Sequence, residues 1–327
     1  MVRVSVVVPT CKRPALLSRC MAALLEQDCA PDDYEVIIVD DAASPETRRQ
    51  VERWAQRAAL CRQTVRYLAV SGAGRAHGPA TARNMGWRAA RGEIIAFTDD
   101  DCIPDPCWLR VGMAVLAGGV DAAAGRVVVP LPEIPTDYEY DASHLEHGEF
   151  VTANCFYRRD ALLMVGGFDE RFTAAWREDS DLFFSLLERR IKWARAPEAV
   201  VVHPVRPARW GVSLRQQRKS MFNALLYKKH PALYREKIQA APPWRYYVIV
   251  LALLAGLLGI GTQSRLLALV GLLVWACLTA RFCFVRLRHT SRAPGHVAEM
   301  IVTSIAIPPL AIFWRLRGAL KFRVLFL

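Results

Sequence analysis

Short β-branched runs alternate with longer amphipathic stretches through the first two-thirds of this 327-residue chain. Residues 4–8, 35–39, 65–69, 94–98 and 122–129 are short and apolar, and this pattern predicts strands. Residues 15–27, 45–60, 80–91 and 106–116 carry helical periodicity and follow several of those runs. Strands separated by helices of this length imply βαβ units, and hence an α/β fold with a mostly parallel central sheet flanked by helices. In such a sheet, polar residues that directly follow strands open into the crevice at the carboxyl ends. Residues 130–141, rich in Pro and acidic side chains, predict an excursion loop. Residues 161–165 and 179–190 predict helices, 200–202 a last short strand and 204–210 a linker.

The pattern changes after residue 208. Residues 213–237 form a basic amphipathic stretch, and two continuous apolar runs follow at 246–261 and 266–280, separated by Thr262-Gln263-Ser264-Arg265. With their interfacial ends, 244–264 and 265–285 each reach the ~20 helical residues that a ~30 Å hydrocarbon core requires. A third run, 297–314, contains Glu299 and Pro308-Pro309. A charge at depth and a broken helix are both costly, so 297–327 is expected to be a kinked, re-entrant or interfacial element. The expected organisation is therefore a domain at 1–208, a basic connector at 209–243 and a membrane region at 244–327.

Charge sharpens this division. Residues 1–208 hold 25 basic and 29 acidic side chains, whereas residues 209–327 hold 18 and 2. Basic clusters beside apolar runs fit membrane flanks facing anionic lipid, and the basic half is too apolar to suggest a nucleic-acid partner. The loop at 262–265 carries one Arg, while both outer flanks are strongly basic, which predicts cytoplasmic flanks, an external loop and a multi-pass protein of the inner (cytoplasmic) membrane. The nine cysteines form no C-x-x-C pair and read as reduced thiols.

Three polar clusters carry candidate chemistry. Asp99-Asp100-Asp101 follows the apolar run 94–98. Adjacent carboxylates repel one another, and a hard divalent cation such as Mg²⁺ or Mn²⁺ would relieve that repulsion while binding substrate phosphate. The same triplet would also serve as an acidic helix start. Asp40-Asp41 follows the run 35–39 and would open into the same crevice, with Ser44 and Pro45 beginning the next helix. Glu178-Asp179 begins a helix, where the dipole stabilises carboxylates and where one of them could act as a general base.

Together these segments resemble the family 2 inverting glycosyltransferases of the glycosyltransferase A fold. Residues 4–10 are similar to that family's opening strand, and Val36 to Ser44 to its nucleotide-binding strand and turn. Gly78-Pro79-Ala80-Thr81-Ala82-Arg83-Asn84-Met85-Gly86 resembles its Gly-x-x-x-Ala-Arg-Asn-x-Gly segment, Asp99-Asp100-Asp101 its D-x-D signature and Glu178-Asp179 its Glu-Asp pair. Asn154 and Gly166-Gly167-Phe168-Asp169-Glu170 match its acceptor-side segment. The resemblance covers about residues 2–205. It implies a donor side comprising Pro9, Thr10, Asp40, Asp41, Arg83 and Asp99, with Asp40 or Asp41 on the base, Asp99 on the ribose and Arg83 on the phosphates. It implies Asp101, with Asp99 and His203, as ligands of Mn²⁺ or Mg²⁺, and Asp179 as the catalytic base.

The partners so implied are a nucleotide-sugar donor and a lipid-linked or membrane-proximal glycan acceptor, beside membrane lipids. Ala42 stands where a Gly is common in the nucleotide-binding turn. Gln216-Gln217-Arg218-Lys219 resembles the Q-x-x-R-W element of processive synthases but lacks its Trp, so transfer of single sugars is expected. A nucleotidyltransferase is disfavoured because residues 9–14 contain no Gly. A catalytically inactive membrane scaffold on the same fold is the remaining alternative, opposed by the presence of Asp101 and Asp179.

Overall fold

The computed structural model describes residues 2–70 and 77–326. Eight strands form one mixed sheet: β1 (Val4–Thr10), β2 (Tyr34–Asp40), β3 (Thr64–Ala69), β4 (Ile94–Phe97), β5 (Ile103–Pro104), β6 (Ala122–Val128), β7 (Cys155–Arg158) and β8 (Trp193–Val202). Their order is β3-β2-β1-β4-β7-β6-β8-β5. The first four in this order pair in parallel; β7 runs antiparallel to β4 and β6, β8 is parallel to β6, and β5 is antiparallel to β8. It follows that all strands except β5 and β7 point one way, and that their carboxyl ends share one edge. β1 and β2 are buried on both faces almost throughout, which is why they read as unbroken apolar runs.

Helices α1 (Pro14–Leu25), α2 (Pro45–Leu60), α3 (Pro79–Ala89) and α4 (Trp108–Ala117) are interspersed among the first six strands. Pro occupies the first turn of α1, α2 and α3, where its missing N–H is not needed. Gly86 lets α3 settle onto the sheet, since a Cβ there would meet Val7 Cγ1 at 2.3 Å. α5 (Asp137–Ser143), α6 (Arg159–Val165) and α7 (Glu178–Glu188) follow.

The chain divides into two compact units, Met1–Pro130 with His144–Pro204, and Leu131–Ser143 with Val205–Leu327. The second unit holds α5, α8 (Val212–Gln216), α9 (Phe222–Lys229), α10 (Pro231–Lys237), α11 (Trp244–Gly261), α12 (Arg265–Leu287) and α13 (Pro294–Phe322). α11 and α12 form the expected apolar hairpin. Their backbones approach at Gly256, Gly259 and Gly271: a Cβ on Gly271 would lie 2.4 Å from Gly256 N.

The break expected at Pro308-Pro309 does not occur, because α13 continues through both prolines. Its buried face, Met300, Thr303, Ser304, Ile307 and Pro308, recurs at helical spacing, so packing offsets the hydrogen bonds the prolines remove. Among the described residues, α11, α12 and α13 are all long and apolar enough to cross a membrane.

Candidate active site

β1, β2, β4 and β8 deliver their polar residues to the shared carboxyl edge. β1 ends at Thr10, whose buried hydroxyl donates to Asp100 Oδ2 at 2.7 Å. Pro9 precedes it, partly exposed. Arg13, which sequence reasoning did not single out, pairs with Asp100 Oδ1 at 3.1 Å. Asp100 and Asp101 are both buried and Asp99 is more open; burial pushes the Asp100 carboxyl up, and Arg13 opposes this.

Asp99 and Asp101 keep distinct company. Asp99 Oδ1 accepts from Arg83 Nη2 at 2.8 Å, and Arg83 Nη1 donates to Glu178 Oε1 at 2.9 Å. Arg83 is only 2% exposed, so both arms of a buried guanidinium are held by carboxylates, one from the β4 turn and one from the start of α7. This bidentate bridge suits Arg geometry and would not survive replacement by a Lys point charge. Burial raises the Glu178 carboxyl, opposed by Arg83 and reinforced by Asp179. Asp179, half-buried beside it, receives Ser180 N–H at 2.7 Å. The Glu-Asp pair is thus split by the helix start, with one member facing inward and its neighbour lying closer to solvent.

Asp101 lies 3.4 Å from His203 Nε2. β8 brings His203 there, and His203 N–H is fixed by Val128 O at 2.8 Å. Ligand atoms of Asp101, Cys102 and His203 all fall within 4.8 Å of one another. Burial drives the Cys102 thiol well above its ordinary value. Carboxylate oxygen and imidazole nitrogen are donors that a divalent cation accepts. Cys102 is a further residue the sequence reading left among neutral thiols.

Asp40 and Asp41 also part ways. Asp40 is fully buried and accepts N–H from Ala42 at 3.0 Å and Ser44 at 2.7 Å, with the Tyr67 hydroxyl at 3.0 Å. It therefore shapes the turn, and Ala42 is accommodated without a Gly. Asp41 is more open, accepts Gly78 N–H at 3.1 Å and lies 3.3 Å from His77 Nδ1. Tyr67 had no signal beyond its place in a strand.

Two of the matched segments are architectural. Asn84 satisfies all four hydrogen-bonding positions of its amide with Phe168 N and O, Glu170 and Trp87. Gly167, at φ +76°, admits this contact, because a Cβ would lie 2.6 Å from Asn84 Oδ1. Asn154 accepts from Trp108 Nε1 and donates to the carbonyls of Arg126 and Ala199, cross-bracing the sheet.

In an open α/β sheet ligands bind beyond the carboxyl ends of the strands, and this unit sets carboxylates and a histidine there. The chain belongs to glycosyl transferase family 2: that family's model matches residues 5–170, just over half the chain, and the model of glycosyl transferase family group 2 matches residues 135–316. Validoxylamine A glucosyltransferase of Streptomyces hygroscopicus subsp. limoneus is 26% identical over 281 residues, covering 71% of this chain and 58% of that protein. Glycosyltransferase AglE of Haloferax volcanii is 27% identical over 229 residues, covering 65% of this chain and 70% of its own. The chain thus spans well under two-thirds of the first of these relatives and slightly more of the second. Among solved structures, the mannosyltransferase PcManGT of Pyrobaculum calidifontis, in complex with GDP-Man and Mn²⁺, matches 98% of this chain and 87% of its own at 21% identity and a TM-score of 0.55. S. aureus TarS matches 96% of this chain and 55% of its own at 15% identity and a TM-score of 0.50. Both share the fold.

Proposed function

We propose that this chain is an inverting, metal-assisted glycosyltransferase that moves one sugar from a nucleoside-diphosphate sugar to a glycan or lipid-linked acceptor at a membrane. The observation that carries this reading is the Arg83 bridge, which ties the Asp99–Asp101 turn to the start of α7 at 2.8 and 2.9 Å. In this reading the catalytic domain is the α/β unit. Asp41, with the turn shaped by Asp40, meets the base, and Asp99 meets the ribose. Asp101 and His203 hold the cation, while Asp99, also expected as a ligand, is engaged by Arg83 at 2.8 Å. Arg83, expected at the donor phosphates, is buried with both arms held by Asp99 and Glu178, and in this reading it acts through them as a positioning residue.

Asp179 removes the proton of the acceptor hydroxyl as its oxygen bonds to the anomeric carbon, while the bond from that carbon to the diphosphate oxygen breaks on the opposite face. A bound divalent cation supplies positive charge to the departing diphosphate. The GDP-Man and Mn²⁺ complex of the Pyrobaculum enzyme supports a donor and metal of this kind. A lipid-linked acceptor is supported by the three apolar helices of the same chain.

Two substitutions test these roles separately. Asp101→Asn should abolish transfer and weaken Mn²⁺-dependent donor binding, because an amide cannot replace the lost charge. Asp179→Asn should leave donor affinity near wild type and lower turnover by on the order of 10²–10⁴. Slow hydrolysis of a panel of nucleotide sugars with Mn²⁺ provides the readout before an acceptor is known. Normal activity in Asp101→Asn removes the metal assignment. Lost donor affinity with unchanged turnover in Asp179→Asn moves that residue to the donor side.

A further inference from the structure

Away from the candidate active site, the α/β unit carries an open groove of about 380 Å³ between the first turns of α1 and the length of α2. Its volume falls within the range of small-ligand sites, ~300–1,000 Å³. α2 contributes Glu46, Gln50, Arg53, Trp54 and Arg57, which recur at helical spacing and so form one stripe; Ser18 faces them from α1. We propose that this groove binds an acidic saccharide, a pyranose ring carrying one phosphate or carboxylate.

Each element of that ligand has a counterpart. Trp54 offers an indole surface of the kind that packs on the apolar face of a sugar ring, and it is only partly exposed. Arg53 and Arg57 stand one turn apart, both exposed, and neither forms a carboxylate pair among the described residues. The Arg57 guanidinium sits 5.4 Å from the Trp54 ring centroid, so positive charge and aromatic surface are presented together. Two unpaired guanidiniums against the single carboxylate of Glu46 give the groove a net positive charge, which selects an anion.

The remaining groups accept hydroxyl protons. Gln50 is nine-tenths buried: its Nε2 donates to Pro14 O at 2.6 Å, which orients the amide, and its Oε1 is buried with no partner among the described residues. A buried amide oxygen left without a donor is unfavourable, and a ligand hydroxyl reaching it through a small shift of the side chain would supply the donor. Glu46 and Ser18 extend the same capacity along the wall. A bare phosphate would use the arginines and leave Trp54, Gln50 and Glu46 idle, whereas a neutral sugar would leave the arginines unused.

The proposal does not depend on the roles assigned to Asp101 or Asp179, because binding is measured without turnover. Isothermal titration of the detergent-purified full chain would use glucose 6-phosphate, an oligosaccharide ending in glucuronate, methyl glucoside and inorganic phosphate as separate probes. The two acidic sugars should bind saturably, each at least about tenfold tighter than methyl glucoside or phosphate. If only the oligosaccharide binds, the site reads a glycan; if both bind, it also takes free sugar phosphates. Trp54→Ala and the double variant Arg53→Ala/Arg57→Ala should each weaken binding by about tenfold or more. The double variant Arg19→Ala/Arg49→Ala, which removes the same charge from α1 and α2 outside the groove, should not. All of these arginines are exposed, so folding is not at issue in either double variant. Equal binding of phosphate and sugar phosphate, equal loss in the control variant, or no saturable binding overturns the proposal.

Discussion

Arg83 concentrates the site's electrostatics in one side chain. Replacing it by Met would strand Glu178, which is 3% exposed, and remove the partner of Asp99. Breaking a buried pair in this way is expected to destabilise the protein by ~3–5 kcal/mol, and Arg83→Lys should recover only part of that, since one ammonium cannot span both carboxylates. Thermal unfolding of the two variants measures it, and an equally stable Lys variant would show that the bridge matters little. Glu178 adds a pH dependence of definite sign. Burial raises its carboxyl in the folded protein, so the native state keeps a proton that the unfolded chain has already released. Its stability contribution is therefore full below the ordinary carboxylate range and falls as pH rises through the raised value. Compared at pH 5 and pH 8, wild type should lose stability relative to Glu178→Gln; a flat difference contradicts the direction. Residue types and order were legible in the sequence here, but partnerships were not. Asp40, Asp100 and Glu178 face inward while Asp41, Asp99 and Asp179 lie closer to solvent, and that choice depends on which face of a turn or helix start packs.

Elements with uniform burial were the readable ones. β1, β2 and β4 announce themselves as apolar runs, whereas β7 (Cys155–Arg158) ends on Tyr and Arg with no apolar run and β5 has only two residues. β8 was legible only in its last three residues because it contains Pro197, which normally argues against a central strand. The register explains the exception: Gly125 pairs with Ala196 and Arg126 with Val200, so Pro197 falls in a bulge and no ladder bond is asked of it. α5 was hidden among the prolines and acidic residues expected to form a loop. The contact of α3 with the sheet offers a test at this scale. Gly86 is mid-helix, where Ala is the better helix former by ~1 kcal/mol. A Cβ there would nonetheless meet Val7 at 2.3 Å and Val39 at 3.0 Å. Gly86→Ala should therefore destabilise the protein by ~1–3 kcal/mol despite its improved propensity, with the donor site loosened because α3 carries Arg83. A rise in melting temperature would mean that the sheet yields at that point.

At the scale of the whole chain, the open matter is how the apolar second unit meets a bilayer. α11 and α12 present little difficulty: a hairpin with a single Arg in its turn and basic flanks outside it follows the positive-inside tendency. α13 has the length and composition of a third span, yet its neighbours within the unit argue for a different placement. Near its start, Glu299 accepts Gly211 N–H at 2.7 Å; near its end, a Cβ on Gly318 would meet Met221 O at 2.4 Å, and Lys228 Nζ donates to Phe322 O at 2.8 Å. The basic connector therefore runs alongside α13 from one end to the other. If α13 crossed the bilayer, Arg215, Arg218, Lys219, Lys228 and Lys229 would be carried with it, at ~2.5–3.5 kcal/mol for each cation near the centre. The uncharged stretch 300–314 is also only ~22 Å long as a helix, short of a ~30 Å core. Lying in the interface, the same pair of segments would bury apolar faces while their cations met anionic headgroups. The expected topology accordingly has two spans, with both ends of α13 on the cytoplasmic side. A reporter inserted at Gln263 should score external and one fused after Leu327 cytoplasmic, whereas an external score for the Leu327 fusion would make α13 a true span and require the connector's cations to be neutralised within the membrane.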